Sequence, residues 1–362
     1  MKHTVGKAVL RTVGVLLTAV ILAVLVYVSY VLTTYSRIDD RLELTPFGGG
    51  TGGELQTGRE YTVVTQNIGF GAYTADFTFF MDGGKQSRAV SGESVVNCVS
   101  KATAQVQKES PDFVLFQEVD FDSTRSYHID QKALLQEAFS GYDGVFAVNY
   151  HSAYLMYPLT EPHGASNSGI MTLSRYPVTS GLRRQLPIST GFSKFLDLDR
   201  CYTVSRIPVE NGKELVLYNV HLSAYGNSDE IRTAQMTMLL SDMKAEYDAG
   251  NYCVCGGDFN HDFTGNSTTV LNGAAAEFGW AMPFPAELIP EGIFRCIRYD
   301  EEKTLPTCRN CDVPYKPGNF TIIVDGFLAS ENVDAVSVQN VQTGFVYSDH
   351  NPVVLRFVLK GE

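Results

Sequence analysis

From Val13 to Leu32 the chain reads VGVLLTAVILAVLVYVSYVL, twenty residues without a charge. As an α-helix this run matches the roughly 30 Å of hydrocarbon in a bilayer. The competing reading is a cleaved signal peptide. The run is longer than the usual apolar region of such a peptide, and no small-x-small cleavage site follows before Thr33, Thr34 and Tyr35. An uncleaved anchor over residues 13–35 is therefore expected. Lys2, Lys7 and Arg11 precede it, whereas Arg37 and Arg41 follow beside Asp39 and Asp40. That bias makes residues 1–12 a short cytoplasmic tail and puts the rest of the chain outside a cell membrane crossed once.

Residues 36–58 contain PFGGGTGGELQTG, which reads as a flexible linker because glycine removes side-chain packing and conformational restriction. The folded domain is expected over 59–362. With 44% hydrophobic and 19% charged residues, disorder is excluded there. Short β-rich runs alternate with amphipathic stretches: strand YTVVTQNI, helix SVVNCVSKATAQVQK closed by Pro111, and strand DFVLFQEV. The rhythm returns as strand ELVLYNVHL, helix EIRTAQMTMLLSDMKAEY and strand YCVCGGDF. This is an α/β pattern.

Each apolar strand ends in a residue able to hold a metal or a phosphate. Asn67 follows YTVVTQ, Glu118 follows DFVLFQ and His221 follows LVLYNV. Asp258 and Asn260 follow YCVCGG, Asp325 follows FTIIV, and Asp349 with His350 sits in YSDHNPV. Singly, each has an ordinary explanation as a turn residue, a cap or a satisfied core histidine. Together they ask for a divalent cation, because gathering several carboxylates in poorly solvated places is costly without one. Carboxylate and amide oxygens suit Mg²⁺ or Mn²⁺, and no His- or Cys-rich zinc spacing of the H-E-x-x-H kind occurs.

The ordered set QNIGFG, LFQEVD, SGIMTLSRYPV, YNVHLSAYG, GGDFNHDF, VDGFLAS and SDHNPV resembles the motif series of the endonuclease/exonuclease/phosphatase superfamily, over about Arg59 to Leu359. The resemblance implies a two-sheet α/β sandwich with outer helices and a site at one rim. It implies metal binding by Glu118 and Asn67, with Asp349 a further ligand. Asp258 would position or activate the attacking water, and Asn260 would hold a phosphate oxygen. His350 would be the catalytic histidine, Asp325 the carboxylate that orients it, and His221 a second histidine on the substrate. Abasic-site enzymes of this superfamily typically carry a tyrosine in that place, so His221 counts against that branch.

On these grounds the chain is expected to be a phosphoester hydrolase, with a phosphodiesterase on small or lipid head-group substrates ranked first. The net charge of −12 disfavours extended polyanions, so DNA or RNA ranks second. An inositol-phosphate phosphatase needs basic residues, for which Arg183, Arg184 and Arg206 are the candidates. An inactive cell-surface binding domain is the reading from outside catalysis. The sequence suggests no obligate protein partner; the expected partners are the substrate and the bilayer around the anchor. HSAYLMYPLTEPHGASNSG is either a substrate-rim loop or an ordinary connection. Trp280 and MPFPAELIP read as packing and turn residues, and most cysteines as small buried apolar groups. Cys308 and Cys311 leave a loop disulfide or a zinc site open.

Overall fold

The computed structural model describes residues 2–191, 194–197, 199–224, 229–273, 282–297 and 305–361. The apolar run lies in the helix Lys2–Thr34. Its Gly6–Thr34 segment is long and apolar enough to cross a membrane, and its most apolar window has no residue buried inside the protein.

Among the described residues the strands build two seven-stranded sheets and a two-stranded ribbon. The first sheet runs Leu42–Leu44, Ser180–Gln185, Cys201–Pro208, Glu214–His221, Tyr252–Asp258, Asp325–Ser330, Phe294–Ile297. The second runs Val333–Asn340, Val353–Leu359, Glu60–Asn67, Phe113–Asp120, Asn167–Ser174, Asp143–His151, Phe47–Gly48. Side chains alternate across each strand, so one face of the second sheet meets the first sheet and the other meets helices. Val63, Phe113, Leu115 and Leu355 accordingly share a core with Leu217, Val254 and Phe327. Val64, Val114, Phe116 and Val354 instead pack with Val95, Val99 and Val106 of the helix Gly92–Lys108. Each such valine removed from water is worth on the order of 2 kcal/mol. That helix starts where Ser91 accepts a hydrogen bond from the Ser94 amide, and it stops at Lys108, three residues before Pro111. The result is the two-sheet α/β sandwich with outer helices that the sequence implies.

Two parallel pairs position the site. Glu60–Asn67 lies parallel to Phe113–Asp120, and Glu214–His221 lies parallel to Tyr252–Asp258. Parallel neighbours need a long crossover, supplied here by the helices Gly92–Lys108 and Asp229–Asp248. Both pairs therefore end in the same direction. Asn67 pairs with Gln117 and Asp258 with His221, so the polar residues emerge side by side.

The expected flexible linker is a correction. Leu42–Leu44 pairs with residues 181–183, Phe47–Gly48 pairs with Asp143 and Gly144, and Leu55 is fully buried. The Gly50 amide binds the Asp143 carboxylate, Gly52 binds the Arg175 carbonyl and Gly58 the Leu359 carbonyl. The glycines are there for close approach rather than freedom: at Gly48, with φ +102°, an added Cβ would lie 2.1 Å from the Tyr142 carbonyl oxygen. The sheets thus begin at residue 42, not 59.

Candidate active site

Glu118 is delivered by an irregular strand. Phe116 pairs with Met171 and Val119 with Gly169, which leaves an extra residue between them, and Glu118 has φ +55°. A left-handed conformation costs a glutamate about 1 kcal/mol, and such strain collects where a side chain must be re-aimed. Beneath it, Gln117 Nε2 donates to Asn219 Oδ1 at 2.8 Å, and Asn219 Nδ2 donates to the Phe116 and Met171 carbonyls. This buried amide pair ties the two sheets together directly under the site.

Asn67 sits between carboxylates from both sheets. Its Nδ2 donates to Glu118 Oε1 at 3.2 Å and to Asp258 Oδ2 at 3.0 Å. Its Oδ1 accepts from the Gly69 amide at 2.9 Å. The amide NH₂ therefore stands where a cation shared by these carboxylates would place positive charge. Asp258 is the centre of the constellation: its Oδ2 lies 3.6 Å from His221 Nε2 and 3.7 Å from His350 Nε2. Its Oδ1 accepts from the Asn260 backbone amide at 2.9 Å. His350 Nδ1 is 2.8 Å from Asp325 Oδ2, and Asp325 is fully buried. Asp325 reaches that place because it pairs with Asp258 across neighbouring strands. Asn260, at φ +51°, donates from Nδ2 to the Leu222 carbonyl at 2.8 Å. An amide NH₂ has two hydrogens, so one remains for a ligand oxygen.

The environment separates the two histidines. Burial works against charge on His350, but Asp325, Cys308, Asp258 and Asp349 outweigh it and hold the imidazole well above its ordinary value. Burial lowers His221 well below its ordinary value, helped by Arg200, His350 and Arg125. The surroundings push the two rings in opposite directions, a division that marks acid/base sites. Burial pushes Asp258 up to about 6, against the favourable charge of His350.

Asp349 meets the same site from the loop before Val353–Leu359. Burial raises it to about 7, with Glu118 adding repulsion, and its Oδ1 accepts from Ser348 Oγ at 3.3 Å. Carboxylates that hold protons this tightly are short of compensating charge. A divalent cation fits that deficit, and carboxylate oxygens suit it. Asp258, Asp325 and His350 bring ligand atoms within 4.8 Å of one another, and Asp325 and His350 are also hydrogen-bonded there.

Glu118, His221, Asp258, Asn260, Asp349 and His350 line a cavity of about 340 Å³, and Asn67 and Asp325 are hydrogen-bonded to that lining from behind. Arg125, Arg200 and Arg309 line it, as do Phe70, Tyr73, Phe79, Phe80 and His163. Arg125 is paired with Asp120 at 2.8 Å. Arg309 donates from Nη2 to the Thr74 and Phe77 carbonyls, while its Nε and Nη1 have no partner among the described residues. Asn149 Nδ2, Ser168 Oγ and His221 Nδ1 are likewise buried and unsatisfied. Such a wall presents donors to an anion. Nothing in the local sequence around Arg125 marks it, and the C-x-x-C pair Cys308 and Cys311 that encloses Arg309 points to a thiol pair or a zinc site rather than to an anion.

Arg183, Arg184 and Arg206, the expected anion candidates, are used elsewhere. Arg183 holds the Val148, Ile38, Asp39 and Asp199 carbonyls. Arg184 pairs with Asp40 and Asp242, and Arg206 with Glu214 and Glu246. Of residues 151–169, Leu155, Tyr157, His163 and Ser168 line the cavity. Trp280 lies outside the described residues. Cys308 and Cys311 are buried free thiols whose Sγ atoms both donate to the Arg309 carbonyl.

Comparison with known proteins gives one family and many folds of its kind. Residues 64–350 match the model of the endonuclease/exonuclease/phosphatase family. An endonuclease/exonuclease/phosphatase structure from Beutenbergia cavernae superposes with a TM-score of 0.57 at 21% identity, covering 84% of this chain and 72% of that one. ANGEL2, described as a 2',3'-cyclic phosphatase in complex with adenosine-2',3'-vanadate, gives 0.55 at 14% identity, over 88% and 99% of the two chains. The human nocturnin catalytic domain with a bound sulfate gives 0.52 at 16% identity, over 88% and 98%. No curated protein matches the chain in sequence.

Proposed function

The chain belongs to the endonuclease/exonuclease/phosphatase family and is a phosphoester hydrolase of that kind, and from that premise we propose that it is a membrane-anchored, Mg²⁺- or Mn²⁺-dependent phosphodiesterase on small or lipid head-group substrates. The observation that carries this reading is the opposed pair of histidines around Asp258. The anchor is residues 13–35, which contain the apolar run Val13–Leu32 of the long N-terminal helix, with Lys2, Lys7 and Arg11 before it on the cytoplasmic side and the sandwich outside.

In this reading Glu118, Asp349 and Asn67 would hold the cation, which would supply positive charge to the phosphate oxygens. Asp258 orients a water and accepts its proton, as a base whose burial brings it near neutrality. The water oxygen forms a bond to phosphorus as the bond to the leaving oxygen breaks. His350, held charged by Asp325, donates to a phosphoryl oxygen as negative charge builds there. Neutral His221 and the remaining Asn260 N–H donate to the other oxygens. The aromatic wall takes the apolar part of the substrate.

A nuclease reading draws on that same wall, since Phe79 and Phe80 offer rings on which a base can stack. A panel run with Mg²⁺ or Mn²⁺ decides between them: sphingomyelin, bis(p-nitrophenyl) phosphate, inositol phosphates, DNA and RNA. Turnover of the first two above the rest is expected. Preferred cleavage of DNA or RNA replaces the lipid reading with the nuclease one, and release of phosphate from inositol phosphates alone makes the chain a monoesterase.

A further inference from the structure

Resting on the membrane-anchored reading above, we infer that the loop Ser152–Thr160 lies in the bilayer interface and that the active-site cavity opens against the membrane surface, so that its substrate is a phosphodiester presented by a lipid of that same bilayer. The first observation is a set of hydrogen bonds. Tyr27 Oη donates to the Tyr154 carbonyl at 3.2 Å and accepts from the Met156 amide at 3.1 Å. Tyr30 Oη accepts from the Tyr154 amide at 3.1 Å. Both tyrosines belong to the apolar run Val13–Leu32, whose depth in a membrane is set by its own length. Whatever they bind is held at the outer edge of the hydrocarbon, the level where tyrosine rings collect.

The loop is built for that level. From Ser152 to Thr160 it reads SAYLMYPLT, without a charge. Leu159 is 82% exposed, Tyr157 69% and Met156 48%, on a chain whose other large apolar groups outside the helix are mostly buried. Isolated apolar residues on a surface mean little, but here Tyr27 and Tyr30 hold the backbone of Tyr154 and Met156 to the helix, and the helix itself exposes Val28 and Leu32. The bilayer that surrounds the helix is the occupant that covers both.

The cavity follows from this placement. Tyr27 of the helix lines it, together with Leu155 and Tyr157 of the loop, as do Arg125, Arg200 and Arg309. The cavity is therefore lined by both the membrane anchor and cationic side chains. A lipid head group enters from the interface with its phosphate toward the arginines and its glycerol or sphingoid end toward Tyr157. A free nucleotide or a nucleic acid gains nothing from this arrangement.

The test uses the full chain in phosphatidylcholine vesicles. A polarity-sensitive fluorophore is placed on Leu159→Cys in a Cys296→Ser background, because Cys296 is part-buried and the other cysteines are buried. The reference is the same label on Val336→Cys, which is exposed on the far edge strand of the second sheet. A spin label carried just below the lipid glycerol is expected to quench the Leu159 probe at least about twofold more than the Val336 probe, as for a group at the interface. Equal quenching of both probes overturns the inference, including the case of a second protein covering the loop. A companion measurement compares Met156→Asp/Leu159→Asp with the parent chain. Hydrolysis of the bilayer lipid is expected to fall about tenfold or more while bis(p-nitrophenyl) phosphate turnover is unchanged, since surface presentation is what the loop provides. Unchanged lipid hydrolysis, or an equal fall on both substrates, overturns the inference. If the parent chain cleaves neither substrate, the phosphodiesterase reading fails by itself, and the quenching result still decides where the loop lies.

Discussion

Asp258 touches every proposed step: it faces both histidines, accepts from Asn67 and is steadied by the Asn260 amide. Asp258→Asn and His350→Ala are each expected to lower turnover of bis(p-nitrophenyl) phosphate by at least about a hundredfold with the fold intact by circular dichroism. Asp325 acts through His350, so Asp325→Asn should cost less, and combining it with His350→Ala should add little. Near-normal turnover by His350→Ala, or additive losses in the double variant, would sink that chain of roles. A second residue-scale consequence concerns His163, which burial lowers to about 4 while its Nδ1 rests 2.9 Å from the Ser87 carbonyl. Its folded pKa lies below the unfolded one, so its contribution is full above about 6.5 and is lost as pH falls toward 4, up to roughly 3 kcal/mol in all. His163→Gln should flatten the loss of stability measured by urea unfolding between those pH values. An unchanged slope would mean that other groups carry the acid sensitivity.

At the scale of elements, the sequence disclosed the two parallel pairs and their crossover helices, because an apolar strand ending in a ligand-type residue is a pattern that local chemistry writes along the chain. Glu118, His221, Asp258, Asn260, Asp349 and His350 line one cavity, and Asn67 and Asp325 sit behind that lining, hydrogen-bonded to Asp258 and His350. What it hid is what only packing decides. Arg309 reaches the cavity through a short strand between two cysteines, and Arg183 and Arg206 look like anion ligands until their carbonyl and carboxylate partners are seen. Glycine was the other ambiguity, since the same residue type serves loose linkers and tight approaches; around Gly48 it is the second. The 36–58 segment closes an edge of each sheet, and Leu55, with its amide on the Pro208 carbonyl, plugs the core between them. Leu55→Ala is accordingly expected to destabilise the full chain by about 2 to 4 kcal/mol in urea titration. A change within about 0.5 kcal/mol would return this segment to the status of a tether.

On the scale of the whole molecule, a helix fit to cross a membrane and a phosphoesterase sandwich share one cavity wall through Tyr27. The acidic balance of the chain belongs to its surface, while the cavity gathers arginines and a charged histidine where a phosphate would sit. The carboxylates Glu118 and Asp349 line the same cavity, and without a cation they would repel a phosphate there. The whole account therefore turns on metal. The most direct test is the rate of bis(p-nitrophenyl) phosphate hydrolysis by the full chain before chelation, in excess EDTA, and after Mg²⁺ or Mn²⁺ is returned. Activity should vanish with the chelator and come back with either ion, as oxygen ligands imply. Full turnover in excess EDTA would contradict the central claim.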